Sequence, residues 1–243
     1  MDFEHGEILL VDKPLNWTSF DAVNKLRWII KSKLKENPLL MGENQYDIKK
    51  RIKNYKLGHA GTLDPLATGL LVICIGKKTK EIDAFIGEEK EYTGTFLLGK
   101  TTPSFDLETE YNSEKSTEGI TNEQMQKAAK QLTGEIQQAP PSFSAKWIDG
   151  KRAYDLARQG KEIEMKKNLV NITTFEIQTQ NFPEIQFRIV CSKGTYIRSM
   201  AHDFGQILGC GATLIELRRT RSGSFKIEDA KTIEEWEEHI RKV

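Results

Sequence analysis

The feature that most constrains this chain is the continuous apolar run LLVICIG, residues 70–76, which is bounded by Gly69 and Gly76. An unbroken apolar run of this length is typical of a buried central strand. Residues 8–11 and 91–99 also read as strands, and residues 170–180 and 184–194 alternate like an antiparallel pair. Strands that alternate with helices and form hairpin-like pairs predict a mixed α/β fold with much antiparallel pairing.

Helices are predicted from their capping residues and from amphipathic spacing. A threonine followed three residues later by Asp, Gln or Glu forms a capping box, which marks the start of a helix. Such boxes occur at Thr18–Asp21, Thr121–Gln124 and Thr232–Glu235. Residues 197–208 are predicted to be helical as well.

The composition excludes several classes of protein. Hydrophobic residues make up 38% and charged residues 29% of the 243 positions, as in a globular protein. The beginning of the chain is too polar for a signal peptide, and no apolar run is long enough to cross a bilayer. Three widely spaced cysteines and four histidines without paired spacing argue against disulfides and metal sites, and they fit a reducing cytoplasm.

The net charge of +1 gives no global sign of a nucleic-acid partner, so any such sign must come from local patches. Residues 31–56 carry eight Lys or Arg against three acidic residues. This segment is either a solvated insertion or a surface that faces phosphates. Further basic clusters lie at Lys77, Lys78 and Lys80 and at Arg218, Arg219, Arg221 and Lys226. Separate patches of this kind are the local footprint of an RNA-binding protein, although they also occur at the edges of helices and sheets.

One carboxylate, Asp64, lies in the loop GHAGTLDPLATGLL, residues 58–71. Pro65 favours an extended backbone at Asp64, which presents the carboxylate instead of folding it into a helix. Asp64 could act as a nucleophile, as a general base or as a structural cap. His59 in the same loop is more typical of a structural hydrogen-bonding residue, and no serine or cysteine beside it suggests a hydrolase triad.

A second candidate site is the segment SKGTYIRSM, residues 192–200. If the chain is extended here, Tyr196 and Arg198 lie on one face of a strand. The ring could stack on a base while the guanidinium holds a carboxylate or a phosphate. The alternative is a hairpin edge where the tyrosine packs and the arginine is solvated.

Five segments together resemble the bacterial B-type tRNA pseudouridine synthases, the TruB family. They occur in the family's order between about Gly6 and Phe225: GEILLVDKPLNWTS, GHAGTLDPLATGLL, KEYTGTFLLG, APPSFSAKWIDGKRAYDLARQGKEI and CSKGTYIRSMAHDFG. The resemblance implies a pseudouridine synthase fold with a mixed, largely antiparallel central sheet flanked by helices and two lobes around a cleft. It implies conversion of the T-loop uridine of tRNA, position 55, to pseudouridine without cofactor or metal.

The resemblance also assigns roles around the reacting carboxylate. Asp64 would be the catalytic aspartate, and Arg198 would pair with it and keep it ionised. His59 would fill the space left by flipped nucleotides, while Lys13 and Pro14 would brace the loop. Whether Asp64 attacks the sugar C1′ or the base C6, or abstracts a sugar proton, stays open.

Other residues are assigned to the substrate. Tyr92 would stack on the target base, Tyr196 would lie near it as a proton-handling group, and Leu217 would line the apolar side of the pocket. Arg218 and Arg219 are expected to contact RNA. The resemblance places a further RNA-contacting insertion at about residues 139–168.

The domain organisation is predicted as a single catalytic domain, residues 1–243, without the C-terminal PUA module that many relatives carry. More of the contacts with tRNA would then come from two basic regions. These are the insertion at residues 31–56, which includes Lys49, Lys50, Arg51 and Lys53, and the cluster around Arg218. Where the family has a glycine in its Lys-Pro motif, this chain has Asn16, a residue that tolerates left-handed geometry and should preserve the turn.

The expected partner is tRNA through its T stem-loop, with no membrane, no obligate protein partner and a monomeric state. Two alternatives stay open. The chain could be the catalytic subunit of a guide-RNA pseudouridylation complex, or it could be a chaperone that folds tRNA by binding it.

Overall fold

A computed structural model describes residues 1–43, 46–144, 146–148, 150–159 and 165–243. The predicted insertion at residues 139–168 therefore lies partly outside the described residues. The chain divides into two compact units. The first unit contains residues 1–90 and 218–243, and the second contains residues 91–217.

The first unit combines strands of two to nine residues with helices from both ends of the chain. Its strands are β1 (Ile8–Lys13), β2 (Leu57–His59), β3 (Ala67–Ile75) and β13 (Phe225–Lys226), together with residues 218–222 of β12. Its α-helices are α1 (Ser19–Glu36), α2 (Ile48–Lys53), α3 (Ile82–Gly87) and α7 (Ile233–Lys242). Short 3-10 helices span Pro38–Met41, Gly76–Glu81 and Ile227–Asp229.

Strand β3 is the centre of this unit. It pairs antiparallel with β1 from Ile8↔Cys74 to Lys13↔Gly69, and with β2 from Leu57↔Ile75 to His59↔Ile73. Every residue from Leu70 to Ile75 is fully buried. The predicted central strand is confirmed, and it begins three residues earlier than the apolar run because Ala67 already pairs in the sheet.

The two terminal helices of the first unit begin at the predicted capping boxes. The Thr18 side chain accepts a hydrogen bond from the Asp21 backbone N–H, and the Asp21 carboxylate accepts one in return. The boxes at Thr121 and Thr232 are formed in the same way. In α7, Trp236 Nε1 donates to the carbonyl of Leu10 at 2.8 Å, which ties the end of the chain to β1.

The second unit contains both long strands and two-residue strands. They are β4 (Lys90–Leu98), β5 (Lys100–Thr101), β6 (Ser113–Glu114), β7 (Gly134–Gln138), β8 (Trp147–Ile148), β9 (Lys151–Arg152), β10 (Asn168–Gln178), β11 (Glu184–Cys191) and β12 (Ala212–Ser222). Its helices are α4 (Asn122–Gln131), α5 (Ala153–Arg158) and α6 (Ile197–Ile207). The sheet order is β12–β4–β11–β10–β7.

The core of this unit lies between the sheet and helices α4 and α6. Phe96 of β4 stacks on Phe187 of β11 with 4.2 Å between ring centroids, and Phe204 of α6 lies 5.9 Å from Phe96. Strands β10 and β11 pair antiparallel, from Ile172↔Cys191 to Gln178↔Gln186, as the alternating pattern predicts. The mixed, largely antiparallel fold class is confirmed.

Strand β12 is an element that the sequence pattern does not predict. Its first residues, Ala212 and Leu214, are buried, but the strand then runs into charged positions that resemble a surface patch. Among the helices that the structure describes, none has both the length and the apolar character of a membrane-spanning segment.

Gly94 in β4 is required by the close approach of β12. A Cβ at this position would lie 2.1 Å from the carbonyl oxygen of Glu216. Gly94→Ala should therefore lower the free energy of unfolding by about 2–3 kcal/mol, since the backbone itself must shift. Gly87→Ala at the end of α3 is the matched control, because a Cβ there meets no atom within 4 Å. Urea unfolding of both variants measures the difference, and equal stabilities would contradict the close approach.

Candidate active site

The loop between β2 and β3 presents Asp64 at a tight turn. The Ala67 N–H donates to the Asp64 carbonyl at 3.0 Å, so residues 64–67 form a β-turn with Pro65 at its second position. Proline favours this position because its ring fixes the required φ. Asp64 is half-buried. The turn thus fixes the backbone of the carboxylate at the point where the chain enters the central strand.

Both neighbours of Asp64 are tied to the segment that leads into α1. The Leu63 N–H donates to Ser19 Oγ at 2.8 Å, and Ser19 Oγ donates to the Leu63 carbonyl at 3.1 Å. The Asn16 N–H donates to the Pro65 carbonyl at 2.8 Å. Asn16 has φ of 64°, which confirms the left-handed geometry expected where the family has glycine.

Arg219 joins the same loop to the central strand. Its side chain is only 1% exposed. Nε donates to the carbonyl of Leu70 at 2.7 Å, and Nη2 donates to the carbonyl of Gly61 at 3.1 Å. The sequence prediction that Arg219 contacts RNA does not fit this burial, since its guanidinium is committed to two backbone carbonyls. Arg219 instead supports the loop.

Gly69 allows Arg219 to approach β3. Its φ is +99°, and a Cβ would lie 2.3 Å from the Arg219 carbonyl oxygen and 2.8 Å from the Arg219 nitrogen. A side chain at this position is therefore excluded by both backbone conformation and space. The glycine of the sequence motif has a packing reason that is independent of chemistry.

Lys13 is fully buried at the end of β1. Its Nζ donates to the carbonyls of Pro14 and Trp17 at 2.9 and 2.6 Å, which fixes the turn before α1. Burial lowers the pKa of Lys13 to about 8, the charge of Asp64 acts in the opposite direction, and the charge of Arg219 lowers it further. Lys13, Asp64 and Arg219 therefore form one electrostatically coupled group.

His59 is half-buried at the beginning of the loop. Burial lowers its pKa below 6.5, the positive charge of Arg219 lowers it further, and a hydrogen bond with the Gly61 backbone acts in the opposite direction. Its Nδ1 is buried and has no hydrogen-bond partner among the residues that the structure describes. His59 is therefore a neutral ring at pH 7, which suits contact with uncharged groups.

Arg218 differs from its neighbour in both exposure and partner. Its two terminal nitrogens donate to the two carboxylate oxygens of Asp12 at 3.0 and 2.7 Å. The side chain is 41% exposed, so its outer face stays open to solvent. The contact of Arg218 with RNA stays a prediction.

Tyr92 and Leu217 lie in the second unit. Tyr92 is on β4 and Leu217 is on β12, and both are half-buried and pack against the apolar core of that unit. Both side chains thus have a fixed apolar base, which gives them defined positions.

The chain is not extended between Tyr196 and Arg198. Helix α6 begins at Ile197, and Tyr196 precedes it as the N-cap without a capping side chain. The proposed placement of both side chains on one face of a strand is therefore wrong. Gln138 holds Tyr196 instead: its Oε1 accepts from the Tyr196 N–H at 2.8 Å, and its Nε2 donates to the Tyr196 carbonyl at 3.1 Å.

Arg198 is 5% exposed, so the solvated alternative is also wrong. Its Nη1 donates to the carbonyl of Phe143 at 2.8 Å, and its Nε lies 3.5 Å from Asp106 Oδ2. A buried guanidinium held in this way has a fixed orientation. The pairing of Arg198 with Asp64 stays a prediction.

Sequence reasoning missed three supporting residues: Ser19, Asp106 and Gln138. Asp106 lies in a loop fixed by its own hydrogen bonds, including one from Thr102 Oγ1 to the Asp106 carbonyl at 2.6 Å. A general signal was available, because a buried arginine requires a carboxylate or other hydrogen-bond acceptors as partners. That rule does not say which of the many carboxylates is the partner.

No group of three or more His, Cys, Asp or Glu side chains within the described ranges is arranged to hold a metal ion. The loop offers a carboxylate and a neutral imidazole, and two buried cations, Lys13 of β1 and Arg219 of β12, lie in the same electrostatic group. They are suited to acid–base or nucleophilic chemistry at a positioned carboxylate.

Comparison with known proteins identifies the class to which this fold and loop belong. The protein-family model described as TruB family pseudouridylate synthase (N terminal domain) matches residues 49–197 of this chain. The model described as tRNA pseudouridylate synthase B C-terminal domain matches residues 198–242. The chain belongs to the TruB family of pseudouridylate synthases.

Relatives from bacteria cover nearly the whole chain. A tRNA pseudouridine synthase B from Phocaeicola vulgatus is 49% identical over 240 residues, which cover 99% of this chain and 95% of the relative. The protein of the same name from Flavobacterium johnsoniae is 48% identical over 240 residues, covering 99% and 98%.

A crystal structure of a Cbf5-Nop10-Gar1 complex contains a chain with the same fold. The TM-score is 0.69 at 26% identity. The alignment covers 98% of this chain and 55% of that chain, so the present protein spans about half the length of this solved relative.

The two adjacent arginines allow a matched test of the loop support. Arg219→Met removes the two hydrogen bonds that the buried guanidinium donates to backbone carbonyls. It should lower the free energy of unfolding by about 2–4 kcal/mol. Arg218→Met removes a partly exposed ion pair and should cost less than about 1 kcal/mol. Urea unfolding measures both values, and a loss at Arg218 as large as that at Arg219 would contradict the assignment.

Lys13 should make stability depend on pH in a defined direction. Its folded-state pKa of about 8 lies below the ordinary 10.5, so between these values the unfolded chain binds more protons. Stability must therefore rise with pH in this window. Relative to Lys13→Met, which cannot titrate there, the free energy of unfolding of the wild type should increase by on the order of 2 kcal/mol. A difference that is constant from pH 7 to 10 would contradict the burial of a charged lysine.

Proposed function

We propose that this protein converts the uridine at position 55 in the T loop of tRNA to pseudouridine, with Asp64 as the catalytic residue. The activity is that of a tRNA pseudouridine synthase, the name carried by relatives that are 48–49% identical over almost the whole chain. The observation that carries the catalytic assignment is the bracing of the Asp64 loop. Ser19, Asn16 and Arg219 hold it on three sides.

The braced loop suits a reaction in which the enzyme must place one carboxylate against a sugar or a base. Misplacement of a reacting group by about 1 Å can cost about a hundredfold in rate. Asp64 can attack C1′, attack C6 or abstract a sugar proton, and each of these steps requires the same fixed position. The hydrogen bonds on both sides of Asp64 supply that position through the backbone.

The uridine must leave the folded T loop before it can react, which costs roughly a few kcal/mol. We assign part of the compensation to Tyr92, since base–aromatic stacking contributes about 1–3 kcal/mol. Tyr196 and Leu217 complete the set of base-facing groups. His59 fills the space that the nucleotide leaves, a role supported by its neutral, half-buried ring.

The proposed substrate is the T stem-loop of tRNA, and the proposed working state is a monomer without an obligate protein partner in the cytoplasm. The guide-dependent alternative is less well supported, because the chain in the solved Cbf5-Nop10-Gar1 complex is 26% identical, whereas the relative named tRNA pseudouridine synthase B from Phocaeicola vulgatus is 49% identical. Activity of the purified chain on naked tRNA separates the two.

Asp64→Asn should abolish pseudouridine formation, with a loss of at least about a thousandfold in rate, while tRNA affinity stays within a few-fold of the wild type. The amide keeps the shape of the side chain but cannot act as a nucleophile or base. Tritium release from 5-tritiated uridine in a T-arm RNA measures the turnover. Binding is measured separately by filter retention of the unmodified tRNA.

Asp229→Asn is the matched control, because Asp229 is an exposed carboxylate in the short 3-10 helix Ile227–Asp229. It should retain full activity. Turnover by Asp64→Asn at a rate near that of the control would refute the proposed catalytic role.

A further inference from the structure

A pocket of about 630 Å³ opens in the first unit, away from the Asp64 loop. Its walls come from the N-terminal segment, from Met41, from residues 46–56 and from the 3-10 helix after β3. Five cationic side chains and two acidic ones, those of Glu4 and Asp47, line the pocket. These cations are Lys50, Arg51, Lys56, Lys77 and Lys80.

Three of the lysines are available for a ligand. Lys56, Lys77 and Lys80 are exposed, and none of them forms an ion pair with a carboxylate in the part of the chain that the structure describes. Lys77 and Lys80 lie three residues apart in the 3-10 helix Gly76–Glu81, so they project from the same side of it. The Gly76 N–H donates to the Lys56 carbonyl at 2.9 Å, which places Lys56 next to this helix.

The floor of the pocket is built from buried groups. Tyr55 is buried, and its hydroxyl donates to the Phe3 carbonyl at 3.0 Å. Arg51 Nη2 donates to the Met41 carbonyl at 2.9 Å and holds the 3-10 helix Pro38–Met41 against α2. Tyr46, by contrast, is 82% exposed and lines the same pocket as the lysines. The pocket is therefore a fixed basic concavity with an aromatic group at its edge.

The pocket cannot serve the reacting uridine. Asp64 lies just before the beginning of β3, and Gly76 follows its end. From Ala67 to Ile75 the strand spans roughly 26 Å, since each step along it is about 3.3 Å. A ligand in the pocket is thus a different part of the substrate, or a different molecule, from the nucleotide at Asp64.

We propose that this pocket binds the phosphate backbone of tRNA at a point outside the T loop, with Tyr46 placed to stack on an exposed base. The inference rests on the proposed function, which supplies tRNA as the substrate. Separated lysines around a concave surface can contact successive phosphates, and an adjacent aromatic ring is typical of surfaces that bind RNA. The sequence alone allows two interpretations of residues 31–56: a solvated insertion or a surface that faces phosphates. The structure brings Lys77 and Lys80 to the same place, which favours the second interpretation.

The double variant Lys77→Gln/Lys80→Gln tests the proposal. The matched control is Lys127→Gln/Lys130→Gln, which removes two exposed lysines at the same spacing from α4. The affinity for full-length unmodified tRNA is measured as a function of salt concentration, and circular dichroism verifies that each variant is folded. Loss of two phosphate contacts should reduce the salt slope by about 1–2 and weaken binding about tenfold near 0.1 M salt.

Further measurements identify the ligand and separate this inference from the proposed function. Binding of the isolated T-arm hairpin should weaken less in the pocket variant than binding of full-length tRNA. An unchanged slope, or an equal loss in the α4 control, would overturn the proposal. So would binding of ATP or pyrophosphate that the variant loses while its tRNA slope stays normal, because the phosphate source would then be a free nucleotide. Failure of the wild type to convert the hairpin would refute the proposed function instead, and the salt slope would still decide the pocket.

Discussion

The geometry of the candidate site depends on one buried cation. Arg219 donates to the carbonyls of Gly61 and Leu70, and so it joins the Asp64 loop to the central strand. A guanidinium can make this connection because its donors form a rigid planar fork, which a lysine lacks. Arg219 can approach the strand only because residue 69 is glycine, since any side chain there would collide with the Arg219 backbone. The glycine-rich motif and the distant arginine are thus two parts of one support.

Part of this site was readable from the sequence and part was not. The Asp64 turn and the left-handed Asn16 follow from local rules, because proline and asparagine constrain their own backbone. The support by Arg219 and Ser19 does not, since both contacts join residues far apart in the chain. A cluster of arginines gives no indication of which member will be buried, and the sequence therefore placed Arg219 with the RNA-binding residues.

The difference between local and long-range contacts also explains which predictions about the fold were right. The capping boxes predicted helix starts because their hydrogen bonds are local. Helix α6 begins at Ile197, where the prediction of a helix over residues 197–208 placed it, and this prediction already argued against an extended Tyr196–Arg198 segment. The boundary itself was not marked, because Tyr196 is an N-cap without a capping side chain. Strand β12 was missed because its apolar alternation gives way to charged residues. A buried charged residue whose partners are backbone carbonyls, such as Arg219, makes the sequence pattern of a strand hard to recognise.

The central claim is that the Arg219 fork positions Asp64 for the reaction. The most direct test is the single-turnover rate of pseudouridine formation by Arg219→Lys at saturating tRNA, with Arg218→Lys as control. Both variants keep the charge, and both are assayed under conditions where unfolding measurements show a fully folded protein. If the fork positions the carboxylate, the rate constant for Arg219→Lys falls about a hundredfold while tRNA affinity and the control are unchanged. An undiminished rate in folded Arg219→Lys would contradict the claim.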